Sequence, residues 1–193
     1  MKSVRSLILA SQSPQRLKLL KKLRVPFRVV PARVSENYRE KNPLSLVLRL
    51  ALRKASHVAR RHPDALVLGA DTVVACRGRI LLKPRSAADA RRMLSILNGR
   101  WHRVYTGVAL VDPRIGKSWR EAAVSRVKAK KLEPAALARL AGKHLDKSGA
   151  YAVQDRQDPF IAKIVGNLDN VIGLPLASVR NLLRKAGHKR GQG

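Results

Sequence analysis

Hydrophobic residues recur along the chain in two patterns. Short apolar runs bounded by Gly, Pro or charged residues predict buried strands, and longer stretches with apolar residues three and four positions apart predict helices. The predicted strands cover about residues 6–10, 25–32, 65–76, 101–111, 118–129, 149–153 and 159–165, with a hairpin turning at Gly78. The predicted helices cover about 14–23, 43–62, 86–97, 134–141 and 175–186. Because the two kinds of element alternate, the pattern indicates an α/β fold.

The length of the chain and its uniform composition indicate the domain organisation. There is no internal repeat, low-complexity tract or linker in the 193 residues. A chain of this length fits one domain, and 45% hydrophobic residues are enough to build a core. We therefore expect a single domain over 1–193, in which residues from about 187 to 193 form a frayed basic tail.

Cysteine content and hydropathy indicate the compartment. The single cysteine, Cys76, excludes an internal disulfide and a cysteine-based zinc site, which suits a reducing environment. No apolar run approaches membrane-spanning length, and the first apolar stretch is too short for a signal peptide. The expectation is a cytoplasmic protein without membrane association.

The charge balance is unusual. Lys and Arg number 41 against 12 Asp and Glu, a formal net charge of +29. Such a surface attracts polyanions, and nucleic acid is the commonest. The alternative is a solvated basic coat, which the spread of these residues over every helix and the scarcity of aromatic residues favour. Nucleic acid therefore stays open as a nonspecific partner. The sequence contains no compact motif that would indicate dedicated recognition of nucleic acid.

The stretch LILASQSPQR contains the first candidate site. Its apolar half predicts a strand, and Ser13-Pro14 has the form of a helix start, with serine as N-cap and proline in the first turn. A helix N-terminus presents unpaired N–H groups, to which Ser11 and Arg16 add donors. The segment predicts an anion site suited to phosphate.

Few acidic or unusual polar residues lie in apolar surroundings. Asp71 does, within LVLGADTVV, and a carboxylate there needs a partner, a metal or a hydrogen-bonded loop. Lys54 and Lys83 taken alone are more typical of surface lysines, and Glu36 of a loop acid. His102, on a predicted strand, is more typical of a structural histidine than of a ligand.

Seven stretches in order, LILASQSPQR, RLALRKA, LGADTVV, ILLKP, YTGVAL, DKSGAYAVQ and NVIGLPL, resemble the Maf family over about residues 6–184. Members of that family hydrolyse nucleoside triphosphates to the monophosphate and pyrophosphate. The resemblance implies an inosine-triphosphatase-like α/β fold: a twisted mixed sheet with flanking helices and two lobes around a central cleft. It also implies a homodimer and a divalent cation, Mg²⁺ or Mn²⁺.

Site residues are carried over from the resemblance position by position. Four of them match positions around the triphosphate: Ser11, Arg16, Lys54 and Lys83. Asp71 matches the proton acceptor, and Glu36 an acid near the metal. The reaction implied is attack of water on the α-phosphorus with pyrophosphate leaving. Asp71 then acts either as base or, since neighbouring cations favour its ionised form, as metal ligand.

Base preference follows from two further positions. Thr72 and Gln154 match the branch of the family that acts on dTTP and UTP, and an amide pairs with the N3–H and carbonyls of a pyrimidine. Three departures bear on this choice: Gln15 replaces the usual second arginine of SPRR, Asp155 replaces a glycine, and Ser35-Glu36 replaces an acidic pair. The alternatives are 7-methyl-GTP or another noncanonical nucleotide, or a non-catalytic member that binds polyanions.

Overall fold

The computed structural model describes residues 5–35, 40–153 and 159–188 of the chain. Its strands are β1 (Leu7–Leu9), β2 (Phe27–Val29), β3 (Leu66–Cys76), β4 (Arg79–Leu81), β5 (Trp101–Asp112), β6 (Lys117–Ala129) and β7 (Ile161–Val165). Its helices are α1 (Pro14–Lys21), α2 (Pro43–Ala59), α3 (Ala87–Leu97), α4 (Pro134–Leu140), α5 (Leu168–Ile172) and α6 (Leu176–Lys185). Short 3₁₀ turns occupy Pro113–Ile115 and Ser148–Ala150.

The seven described strands form one mixed sheet. The order is β2-β1-β3-β5-β6-β7, and β4 pairs with β3. β1 runs parallel to both β2 and β3, whereas β3 with β4 and β6 with β7 are antiparallel. The predicted α/β class with a mixed sheet is therefore confirmed.

Two compact units divide the chain. Unit 1 comprises residues 1–71, 106–123 and 173–193, and unit 2 comprises residues 72–105 and 124–172. One core cluster of unit 1 joins β1, α2, β3 and β5 and includes Ile8, Ala51, Ala55, Val67 and Ala109. A core cluster of unit 2 surrounds α3 and includes Leu81, Leu94, Val104, Val127 and Phe160.

Helix α2 packs unusually closely on the sheet of unit 1. A Cβ on Gly69 of β3 would lie 2.2 Å from the carbonyl oxygen of Ala51, and a Cβ on Gly107 of β5 would lie 2.4 Å from that of Val47. Backbone at such distances leaves no room for a side chain. The two glycines thus let α2 lie directly against β3 and β5.

Most predicted elements are confirmed within a few residues, but the strand predicted at 149–153 is wrong. That segment begins as the 3₁₀ turn, where Gly149 has φ +78° and Ala150 has φ +63°. Two successive left-handed residues are incompatible with an extended strand, although the apolar character of Tyr151 and Ala152 resembles one. Helix α5, just before Gly173, was not anticipated.

The predicted C-terminal tail is only partly described. Of its residues 187–193, residues 189–193 lie outside the described ranges.

Across the described ranges, none of the helices combines the length and the apolar character needed to cross a bilayer.

Candidate functional site

The strand-to-helix junction after β1 has the predicted form. Ser13 is the N-cap of α1, Pro14 occupies the first turn, and the Ser13 hydroxyl accepts a hydrogen bond from the Arg16 amide at 3.5 Å. Ser11 is buried, and its Oγ accepts from the Ser13 amide at 3.2 Å. The junction is a built loop whose hydroxyls lie at the positive end of a helix, which favours an anion there.

Arg16 is held in one orientation by two acceptors. Its Nε donates to the carbonyl oxygen of Gly173 at 2.9 Å, and its Nη1 lies 3.5 Å from Ser11 Oγ. With both of its acceptor positions engaged by Ser13 and Arg16, the Ser11 hydroxyl keeps its own O–H for donation. Ser11 and Arg16 thus form one cluster of hydrogen-bond donors at the start of α1.

Lys54 and Asp71 form a buried ion pair. Lys54 Nζ lies 2.6 Å from Asp71 Oδ1, and each side chain is only 9% exposed. The sequence favoured a surface position for Lys54, and this was wrong. A buried ammonium is costly unless it meets a charge, and the carboxylate supplied by β3 provides one.

Gly69 explains how the pair forms. Gly69 and Asp71 are two residues apart on β3 and therefore point to the same face, on which α2 lies. The close approach at Gly69, next to Ala51 and Ala55, brings Lys54 of α2 within reach of Asp71. A side chain at position 69 would push α2 away from the carboxylate.

Strand register brings the donor cluster to the level of this pair. β1 and β3 are parallel, with Leu9 opposite Leu68, and the Ala10 amide donates to the Leu68 carbonyl oxygen at 2.8 Å. Ser11 follows Leu9 by two residues, and Asp71 follows Leu68 by three. Ser11 and Asp71 therefore lie at about the same level of neighbouring strands, just beyond the end of β1.

The remaining predicted residues fall in other places. Gln15 is half-buried in the first turn of α1. Thr72 and Lys83 belong to unit 2, where the Thr72 carbonyl oxygen accepts from the Ser148 hydroxyl at 2.8 Å and Lys83 is exposed after β4. Glu36 and Gln154 lie outside the described ranges, as does Asp155.

Two glycines contribute to the site through their backbone, without a functional side chain that sequence analysis would single out. Gly69 is an isolated glycine in an apolar strand, a pattern that indicates a close backbone approach and could have been used. Gly173 acts through its carbonyl oxygen, and a backbone acceptor has no residue-type signature. Only the fold reveals the second.

Asp71 is the described carboxylate at this site that could contribute to holding a metal ion. Among residues 5–35, 40–153 and 159–188, no cluster of three or more His, Cys, Asp or Glu side chains could hold a metal ion alone. Mg²⁺ is commonly held by one or two carboxylates together with substrate phosphates. Asp71, engaged by Lys54 through Oδ1, fits the role of one such carboxylate.

His102 has the structural role that the sequence favoured. Its Nε2 lies 2.9 Å from the Tyr151 hydroxyl in the core of unit 2, and burial lowers its pKa to about 4. The imidazole is therefore neutral at physiological pH.

The mixed sheet, with a helix N-terminus at the level of a buried Lys–Asp pair, defines an α/β protein with a candidate anion site. The family described as Maf-like protein matches residues 6–186. The chain belongs to the Maf family.

Two relatives match the chain over nearly its whole length, and one solved structure matches its fold. The chain is 43% identical to the dTTP/UTP pyrophosphatase of Elusimicrobium minutum over 181 residues, covering 94% of this chain and 98% of the relative. It is 47% identical to the dTTP/UTP pyrophosphatase of Moorella thermoacetica over 180 residues, covering 92% and 93%. The Ham1 protein of Staphylococcus aureus matches in structure with a TM-score of 0.56 at 11% identity, covering 94% of this chain and 100% of that protein, which supports the fold.

Proposed function

We propose that this protein hydrolyses dTTP and UTP to the nucleoside monophosphate and pyrophosphate. The observation that carries the proposal is the buried Lys54–Asp71 pair at the level of Ser11. This pair fixes a carboxylate at the level of hydrogen-bond donors that are suited to phosphate. Full-length similarity to dTTP/UTP pyrophosphatases supports the reaction and the substrate class.

Each described residue has a definite task in this proposal. Ser11 donates its O–H, and Arg16 a guanidinium N–H, to oxygens of the triphosphate, and the charge-assisted bonds strengthen as charge develops on the leaving group. Lys54 holds and orients the Asp71 carboxylate. Asp71 accepts a hydrogen bond from the attacking water and aligns it with the α-phosphorus.

We further propose that a divalent cation, Mg²⁺ or Mn²⁺, enters with the nucleotide and would be held by Asp71 and Glu36. Such a cation supplies charge neutralisation on the phosphate oxygens. Lys83, assigned to the triphosphate by the family pattern, adds a further positive charge.

Base selection is assigned to Thr72 and Gln154, with Gln15 as a third position of influence. An amide at 154 suits the donor and acceptors of uracil or thymine. The runner-up substrates are 7-methyl-GTP and other noncanonical nucleotides, since Gln15 and Asp155 depart from the family pattern.

A nucleotide panel tests the proposal. Purified protein is incubated with dTTP, UTP, CTP, ATP, GTP and 7-methyl-GTP in the presence of Mg²⁺ or Mn²⁺, and pyrophosphate and monophosphate are both quantified. We expect dTTP and UTP to be hydrolysed fastest, with loss of activity in Asp71→Asn and not in the exposed control Asp64→Asn. Turnover of 7-methyl-GTP above that of dTTP would contradict the substrate, and phosphate release without pyrophosphate would contradict the reaction.

The homodimer implied by the family resemblance and the cytoplasmic location indicated by the cysteine content and hydropathy remain proposals. Light scattering coupled to gel filtration measures the first, and a mass of one chain would contradict it. Fractionation of the source cells measures the second.

A further inference from the structure

Unit 2 has a groove of about 720 Å³ whose lining includes none of the residues assigned to hydrolysis. It lies between the β3–β4 hairpin and one face of α3. Its lining is Arg77, Arg79, Ala88, Arg91, Arg92, Ser95, Ile96 and Arg100. Five of these eight residues are arginines.

The positive charge of the groove is largely uncompensated. Asp89 pairs with Arg92 at 2.7 Å, and no carboxylate in the described part of the chain pairs with Arg77, Arg79 or Arg91. Between Thr72 and Tyr105 the sequence has eight Lys and Arg against this one acid. Mutual repulsion of so many guanidinium groups destabilises the free protein and is relieved by a bound anion.

Arg77 adds an independent observation. It occupies the hairpin turn with φ +50°, followed by Gly78 with φ +71°, the combination of a type I′ turn in which Asn, Asp or Gly is ordinary. An arginine there carries a backbone cost. Such an outlier is compatible with a binding role for its side chain.

The chemistry of the lining indicates the occupant. Guanidinium groups bind phosphate oxygens as bidentate forks, and Ala88 and Ile96 add apolar surface to the lining. A sugar–phosphate backbone offers both anionic groups and pentose carbons to such a lining, whereas inorganic polyphosphate has no apolar part. The lining contains no aromatic residue on which a base could stack.

We propose that this arginine groove binds the phosphate backbone of nucleic acid without reading its bases. Its lining shares no residue with the proposed hydrolytic site, and it contains five of the chain's 41 Lys and Arg residues. Binding is electrostatic and therefore weakens steeply as salt is raised.

The test measures fluorescence anisotropy of a labelled single-stranded RNA of about 20 nucleotides over a series of NaCl concentrations. The variant Arg77→Asn/Arg79→Gln/Arg91→Gln removes three groove charges. The matched control Arg61→Gln/Arg114→Gln/Arg120→Gln removes three exposed charges of unit 1. Thermal melting verifies that both fold, and hydrolysis of dTTP is measured on both.

We expect the groove variant to bind RNA at least about tenfold more weakly, with the slope of log Kd against log salt reduced by about two. The control should lose less than about threefold, and dTTP hydrolysis should be unchanged in both. Equal losses in the two variants would overturn the proposal, because general charge would then explain binding. Stronger competition by inorganic polyphosphate than by RNA at equal phosphate concentration, or about a tenfold preference for one base composition, would overturn the assigned occupant.

Discussion

Lys54 Nζ lies 2.6 Å from Asp71 Oδ1 in the interior of unit 1. The two residues are 17 positions apart and come from a helix and a strand whose backbones touch at Gly69. The pair is thus a product of packing as much as of charge, and both aspects can be tested separately.

Removing one member of the pair should cost more stability than removing both. Lys54→Met leaves the Asp71 carboxylate buried and unpaired, and we expect the free energy of unfolding to fall by about 3 kcal/mol. In Lys54→Met/Asp71→Asn no buried charge is left without a partner, so the double variant should be more stable than Lys54→Met. Urea unfolding of Lys54→Met, Asp71→Asn and the double variant measures this, and a double variant no more stable than Lys54→Met would contradict it. Because the proposed reaction needs both the carboxylate and the lysine that orients it, all three variants should lose activity by about 100-fold or more.

Packing at Gly69 should control both stability and activity. In Gly69→Ala the new methyl group meets the Ala51 carbonyl oxygen, so α2 must move and carry Lys54 with it. We expect a loss of about 2 kcal/mol in unfolding free energy together with reduced activity. Gly142→Ala is the matched control, since nothing lies within 4 Å of its added Cβ. Normal stability and turnover in Gly69→Ala would show that the close approach is not required.

Local sequence signals predicted the elements well. The Ser-Pro and Ser-x-x-Asp patterns marked the starts of α1 and α3, and the apolar surroundings of Asp71 marked it as a residue in need of a partner. These features depend on neighbours in the chain, so they can be read without a fold. The same logic failed at 149–153, because the left-handed φ of Ala150 has no residue-type signature.

Features that depend on distant residues could not be predicted from pattern alone. Lys54 looked like a surface lysine because its partner is on another element, and only the α2–β3 contact shows that it is buried. The Gly173 carbonyl that holds Arg16 is 157 residues away in the chain. The resemblance to a family supplied both positions, Lys54 and Arg16, without explaining what positions them.

His102 should make the protein less stable in mild acid. Its pKa is about 4 in the folded protein, where burial opposes protonation, against an ordinary value of 6.5. The unfolded chain therefore binds more protons between these values, and the free energy of unfolding falls as the pH drops from 6.5 to about 4, by up to about 3 kcal/mol.

Urea unfolding at a series of pH values measures this effect. His102→Gln should flatten the dependence, leaving a smaller slope from His188, whose pKa is also lowered by burial and by Arg5. The control His57→Gln, on α2, should retain the slope of the original protein. An unchanged slope in His102→Gln would contradict the assignment.

The hairpin turn should become more stable when its arginine is replaced. Arg77→Asn puts a residue suited to left-handed φ at the first central position of the turn, and we expect a gain of about 0.5 to 1 kcal/mol. Arg79→Asn removes the same charge from a strand position, where asparagine is disfavoured, and should give no gain. Thermal unfolding compares the two, and equal effects would mean that charge relief and not turn geometry is responsible.

Gln15 is the position at which one added charge should improve the proposed substrate binding. It lies in the first turn of α1, beside Arg16, whose guanidinium is already held by Gly173 and Ser11. An arginine at 15 adds a second fork to the same anion site, so Gln15→Arg should lower the KM for dTTP by about tenfold or change the preferred base. Ala135→Arg is the control, because Ala135 follows Pro134 in the first turn of α4 as Gln15 follows Pro14 in α1. Steady-state kinetics over the nucleotide panel distinguish the two sites: an effect of Gln15→Arg equal to that of Ala135→Arg would assign the change to net charge and remove position 15 from the binding site.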